Sequence, residues 1–230
     1  MFLLQQILRC GPGRQAEALE RLHWIHGQMA EHVGSAGTIV AKYLGNPFDF
    51  LILRQWQDRA AYDDFMASPA GQFPRSKPAG IYDSLDILHN WDDVLHMPGY
   101  VTGNFIWRLG YRVPADRWEE FLKLRIEDDK LAQWYGLAEH PGTKFGALVS
   151  SRTFRSADDP EQALSLVRLQ DREAMEDIVT SPSRAEIAAQ LNERERHPGS
   201  ARAPRDALYS DCFEVVDEFP ARGEAGSEAG

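Results

Sequence analysis

One thirteen-residue sentence is written twice in this chain, and that repeat limits the possible architecture more than any other feature. Set without a gap, it matches Gln57-Asp58-Arg59 with Gln170-Asp171-Arg172, Ala61 with Ala174, Asp64 with Asp177, and Ser68-Pro69 with Ser181-Pro182. A period near half of a 230-residue chain points to two copies of one domain rather than a solenoid. Each copy follows an apolar strand. In the first, Phe48, Phe50, Ile52, Arg54 and Trp56 alternate onto one face and Leu51, Leu53 and Gln55 onto the other. Apolar residues on both faces predict a strand covered from both sides. Asp58 is placed to cap the helix that follows. Ser68-Pro69 should end it, because the residue before a proline is pushed out of the helical region.

The element order follows from breakers and periodicity. Phe2–Cys10 reads as a strand, turned by Gly11-Pro12-Gly13 into a helix from Arg14 to Val33. Thr38–Leu44 and the strand ending at Trp56 form a pair, followed by the short helix and a fourth strand at Ile81–Trp91. This is β-α-β-β-α-β, the ferredoxin-like pattern. The second half restarts it, with a strand at Asn104–Arg112 and a long helix opened by Pro114. A hairpin (Thr143–Phe154 and Glu161–Gln170), the short helix and a last strand at Ala207–Asp217 complete it. The predicted fold class is α+β: two tandem ferredoxin-like domains, packed as an intramolecular dimeric α+β barrel. The expected domains are 1–95 and 104–219, with a linker at 96–103 and a disordered tail at 220–230.

Composition excludes several partners. A net charge of −10 argues against nucleic acid or an anionic membrane. Cys10 and Cys212 lack metal spacing and read as buried thiols, and no stretch approaches membrane-spanning length, so a cytoplasmic location is expected. No His-Glu-x-x-His or Gly-x-Ser-x-Gly motif occurs. No metal site is expected.

Polar residues interrupt faces that should be packed. On the first helix Leu19, Leu22, His26, Ala30 and Val33 form a stripe with His26 at its centre and His23 at its edge. A desolvated imidazole stays neutral and offers a lone pair near neutral pH, which fits a general base; a core histidine bonded to a carbonyl fits equally. Setting Pro12 on Pro114 places Arg125 at the His23 position and Asp128 at the His26 position, either as a second pocket or on a solvated surface. Arg54 shares the face of Trp56 and suits a phenolate or an acidic partner at the sheet rim.

Leu53-Arg54-Gln55-Trp56, the acid-capped helix bearing Tyr62, and Ser68-Pro69 together resemble the antibiotic biosynthesis monooxygenase family. The sharp likeness covers about twenty residues, and the overall pattern covers both halves. It implies the ferredoxin-like domain and the α+β barrel. In the polyketide branch of that family the strand-end Trp and a Tyr six residues later border the pocket, and Trp56 and Tyr62 match them. The second copy has Leu169 and Met175 instead. In haem-degrading relatives an iron-ligating histidine follows the Trp by ten residues; here that residue is Met66.

The implied activity is a cofactor-independent monooxygenase that uses dioxygen on a polycyclic phenolic substrate. Tyr62, His26 and Arg54 are its expected catalytic residues. Trp56, His23, Ile52 and Phe50 would contact the small aromatic substrate. Two alternatives stand beside it: a non-catalytic small-molecule-binding barrel, and a haem-binding barrel using His140 or His197. A homodimer is compatible with all three.

Overall fold

The computed structural model describes residues 1–72, 81–97, 103–126, 148–169, 171–173, 175–176 and 206–220. The chain divides into two compact units, Met1–Asp93 with Phe213–Gly230, and Val94–Cys212.

The first unit contains β1 (Phe2–Cys10), α1 (Gln15–Ala30), β2 (Ser35–Tyr43), β3 (Asp49–Trp56), α2 (Arg59–Ala67), α3 (Pro69–Gln72) and most of β4 (Tyr82–Met97). Its sheet is antiparallel in the order β4-β1-β3-β2, and the end of the last strand, β8 (Asp206–Phe219), adds to the far side of β2. β3 is the hydrophobic spine. Phe50, Leu51, Ile52 and Leu53 are all buried, so both of its faces are covered, as its double-sided apolar pattern predicts. On the helical side, Ala18 and Leu22 of α1 pack with Leu8, Val40, Phe50 and Ile52, while Ile25 and Met29 pack with Phe2, Leu4, Trp56 and Phe65.

Local chemistry sets the ends of α2. The Asp58 carboxylate accepts a hydrogen bond from the Ala61 amide at 2.8 Å, and Ser68 leaves helical geometry at ψ 159°. The Ser68 hydroxyl donates to the Phe65 carbonyl at 2.7 Å, satisfying one of the orphaned carbonyls of the last turn. Pro69 then opens α3, an allowed first position for proline.

The second unit repeats the order with β5 (Phe105–Arg112), a 3-10 turn (Ala115–Arg117), α4 (residues 118–126), β6 (Leu148–Ser156), β7 (Gln162–Leu169) and the start of β8. Its strands run β8-β5-β7-β6, the arrangement of β4-β1-β3-β2 over again. Trp118 and Phe121 of α4 pack on Leu109, Tyr111 and Ala163. One contact recurs at matched positions: the guanidinium of Arg59 lies 5.1 Å over the Phe2 ring, and that of Arg172 lies 5.9 Å over the Phe105 ring. Each holds the start of the short helix against the first strand of its unit.

Several expectations are corrected. β4 continues to Met97 and leaves no linker starting at 96, because no Gly or Pro interrupts the chain before Pro98. The units are not contiguous halves, since Phe213–Phe219 pairs with β2 of the first. α1 ends at Ala30, so Val33 falls beyond its stripe and is 79% exposed; Ile25 and Met29 take that place. Cys10 is buried, with its thiol pKa raised by desolvation, but Cys212 is only partly buried. The long helix expected beyond residue 126 and the tail from 221 lie outside the described residues. Among the described residues no helix is long and apolar enough to cross a membrane.

Gly34, at φ +88°, turns the chain out of α1 against α2, and a Cβ there would meet the Ala61 Cβ at 2.5 Å. Gly13 has φ +75° with open space around it. Alanine at Gly34 should therefore cost more than alanine at Gly13. The left-handed backbone alone accounts for about 1–3 kcal/mol at either position, and the clash adds to it only at Gly34. Urea unfolding of the two variants measures the difference.

Candidate active site

Strand register places the candidate residues in rows across the helical face of the first sheet. Arg54 pairs with Leu4 on one side and Thr38 on the other, and Thr38 pairs with Phe219 of β8. The next row holds Phe2, Trp56 and Ser35, and the row before it Gln6, Ile52, Val40 and Asp217. Cross-strand partners share a face, so Arg54, Thr38, Phe219 and Trp56 all lie beneath α1.

α1 supplies the roof. Its buried stripe of Ala18, Leu22, Ile25, His26 and Met29 brings His26 down onto the sheet with no solvent exposure. The Arg54 Nε–H donates to His26 Nε2 at 3.3 Å. Burial, and then the Arg54 and His23 charges, hold the His26 pKa well below its ordinary value of 6.5. The ring is therefore neutral and a poor proton acceptor, and its Nε2 lone pair is already engaged. The general-base role expected for His26 finds no available lone pair in this geometry.

Among the described residues, His26 Nδ1 is buried without a hydrogen-bond partner, and so is the indole Nε1 of Trp56. Each orphaned group costs about 1–3 kcal/mol that a bound acceptor would restore. Trp56 itself is wedged among aromatic rings. Phe65 lies 5.1 Å away, Tyr62 edge-on at 5.8 Å, and His32 edge-on at 6.1 Å. Tyr62 is half-buried and also meets Phe2 at 5.4 Å, so the expected Trp-Tyr pair is assembled by α2. Ile52 and Phe50 lie deeper in the core beside Leu22 and Val40.

His23 stands at the edge rather than inside. Its Nδ1 lies 2.6 Å from the Asp217 carboxylate, and its ring is 5.0 Å from Phe219, which also reaches the His26 ring at 6.2 Å. Asp217, Phe219 and Thr38 were not singled out from the sequence. The first two come from the end of a strand nearly two hundred residues away; the only hint is the alternation of Phe213, Val215, Asp217 and Phe219.

In the second unit Arg125 is buried on the α4 stripe with Trp118 and Phe121, which removes the solvated-surface alternative for it. Asp128, His140 and His197 lie outside the described residues. Leu169 and Met175, at the positions of Trp56 and Tyr62, are both buried, and the Ser165 and Thr153 hydroxyls lie 3.0 Å apart in the interior. No three His, Cys, Asp or Glu side chains among the described residues gather as a metal site.

Depressed histidine basicity has a stability consequence. Below about pH 6.5 the unfolded chain binds a proton at His26 that the folded chain refuses, so this contribution is complete above that pH and lost progressively as pH falls from there toward the lower folded-state value. Equilibrium unfolding from pH 7.5 to 5 should show stability falling on acidification, and His26→Phe should flatten that slope.

No protein-family model matches the sequence, and no curated protein matches it. Solved structures do. A candidate monooxygenase of Fusobacterium nucleatum superposes with a TM-score of 0.68 at 8% identity, covering 95% of this chain and 94% of that one. An anthrone oxidase-like protein gives 0.62 at 13% identity, over 96% and 93%. A candidate monooxygenase of Lactobacillus acidophilus gives 0.60 at 12% identity, over 95% and 96%. The chain thus shares the α+β fold of these monooxygenase-named structures, the fold that its resemblance to the antibiotic biosynthesis monooxygenase family implies.

Proposed function

We propose that the protein is a cofactor-independent monooxygenase acting on a polycyclic phenolic substrate in the layer between α1, α2 and the first sheet. The observation that carries this reading is the pair of orphaned buried groups, Trp56 Nε1 on the sheet and His26 Nδ1 on α1, with Arg54 donating to His26, in a layer built mostly of apolar side chains. An apolar layer with a few fixed polar groups suits an aromatic ligand whose oxygen atoms need orientation. The intramolecular barrel belongs to the same proposal, supported by β8 lending residues to both sheets.

The chemistry asks little of the protein beyond binding and electrostatics. An anthrone-type methylene loses a proton to give a delocalised carbanion, which passes its electrons to dioxygen and forms a carbon-bound hydroperoxide. Loss of the second carbon-bound proton and cleavage of the O–O bond leave a carbonyl and one water, so one dioxygen oxidises one methylene to a quinone carbonyl. Arg54 stabilises the anion. Trp56 sets the plane of the ring, and Tyr62, half-buried at the edge, moves or holds the proton. Exclusion of water protects the carbanion and the peroxide.

Purified protein given an anthrone or a naphthol, with no added cofactor, should consume oxygen in proportion to product. Trp56→Phe combined with Tyr62→Phe should lower kcat/KM on the order of 10²-fold. Unchanged turnover in that double variant would remove the site. Tight binding of the aromatic without oxygen uptake would make the protein a binder, and a Soret band in the purified sample would make it a haem protein.

A further inference from the structure

We infer that His26 serves this site as a neutral hydrogen-bond donor through Nδ1–H, set in that tautomer by Arg54, and so selects aromatic ligands that present a carbonyl or oxyanion oxygen. The inference rests on the reading of the α1–sheet layer as the ligand site. It replaces a proton acceptor with a proton-bearing group, which changes what the ligand must bring.

The argument starts from what each side chain can do. Arginine has five N–H donors and no acceptor. The contact between Arg54 Nε and His26 Nε2 therefore has one polarity only: the guanidinium donates and Nε2 accepts. A neutral imidazole has one protonated nitrogen, so when Nε2 accepts, the hydrogen is on Nδ1. That N–H is fully buried, and among the described residues no side chain or backbone group receives it. Protonating Nε2 instead would set two donors against each other, and protonating both nitrogens would place two cations together in a buried layer.

The surroundings agree. The groups facing His26 are Arg54 from β3, His23 from its own helix and Phe219 from β8. A carboxylate of β8, Asp217, is engaged with His23 at the exposed edge. Arg54 thus acts as a positioning residue for His26 while contributing its charge. The second buried donor, the Trp56 indole N–H, lies in the adjoining row of the sheet. Two buried N–H donors on one face, beside a guanidinium, favour a ligand that brings oxygen lone pairs. A hydrocarbon, or an aromatic whose only polar atom is a donor, satisfies neither of the two.

Two measurements test this on the full chain. Nitrogen-15 spectra of histidine-labelled protein should show His26 with Nδ1 protonated and Nε2 bare at neutral pH, and Arg54→Met should shift the ring toward the Nε2–H tautomer. Binding of 2-hydroxy-1,4-naphthoquinone, an anionic acceptor-rich probe, is then compared with binding of naphthalene. His26→Asn keeps an N–H near the Nδ1 position and should bind the quinone much as wild type does. His26→Phe should lose about tenfold in quinone affinity while its naphthalene affinity holds. A protonated Nε2 in the wild type overturns the inference. So does quinone binding by the Phe variant equal to wild type, and if oxygen uptake on the phenol persists in that case the proposed function still stands. Failure of wild type to bind either compound removes the ligand role and the underlying site together.

Discussion

Burial of β3 on both faces is the constraint from which the rest of the first unit follows. A strand with Phe50, Leu51, Ile52 and Leu53 all excluded from water must have a strand on each side and a layer above and below. β1 and β2 supply the strands, and α1 and α2 supply one of the layers. Because the pleat alternates, the same eight residues that build the core also carry Arg54 and Trp56 to its helical side. The site is not added to the fold. It is the end of the spine where apolar residues give way to polar ones.

This placement explains why polar groups there can be held so firmly. His26 occupies a position on the α1 stripe that a leucine would fill, and packing of Leu22, Ile25 and Met29 on either side leaves its ring no route to solvent. Desolvation keeps the imidazole neutral, and the Arg54 charge reinforces the effect. In the proposed reaction, a neutral ring of fixed orientation beside a permanent cation would meet a developing negative charge without reorganising, as a solvated histidine would have to.

The two copies of the repeat show how one scaffold separates architecture from chemistry. Arg59 and Arg172 make the same contact with the first strand, and the strand order is the same. The layer beneath the helices differs. Where the first unit sets Val40 opposite Ile52, the second sets Thr153 opposite Ser165; where the first has Arg54 and Trp56, the second has Val167 and Leu169. The two hydroxyls lie 3.0 Å apart and bond to each other, whereas the first unit has only apolar side chains, Val40 and Ile52, at that level.

The sequence by itself determined the periodicities: the β-α-β-β-α-β order of the first unit, the recurrence of its strands in the second half, the double-sided central strand, the Asp58 cap, the Ser68 stop and the Trp56–Tyr62 pair. Each depends on residues close together in the chain, where alternation, helical spacing and proline geometry decide the outcome. It also marked His26 and Arg54 as polar residues on packed faces. Only the tertiary structure decided that the two are partners, because the direction of a hydrogen bond between residues of a helix and a strand depends on how the helix lies across the sheet. It likewise decided that Asp217 and Phe219 from β8 complete the edge of the site. That pairing is a contact of nearly maximal sequence separation, and no local pattern encodes which free strand edge a distant segment will meet.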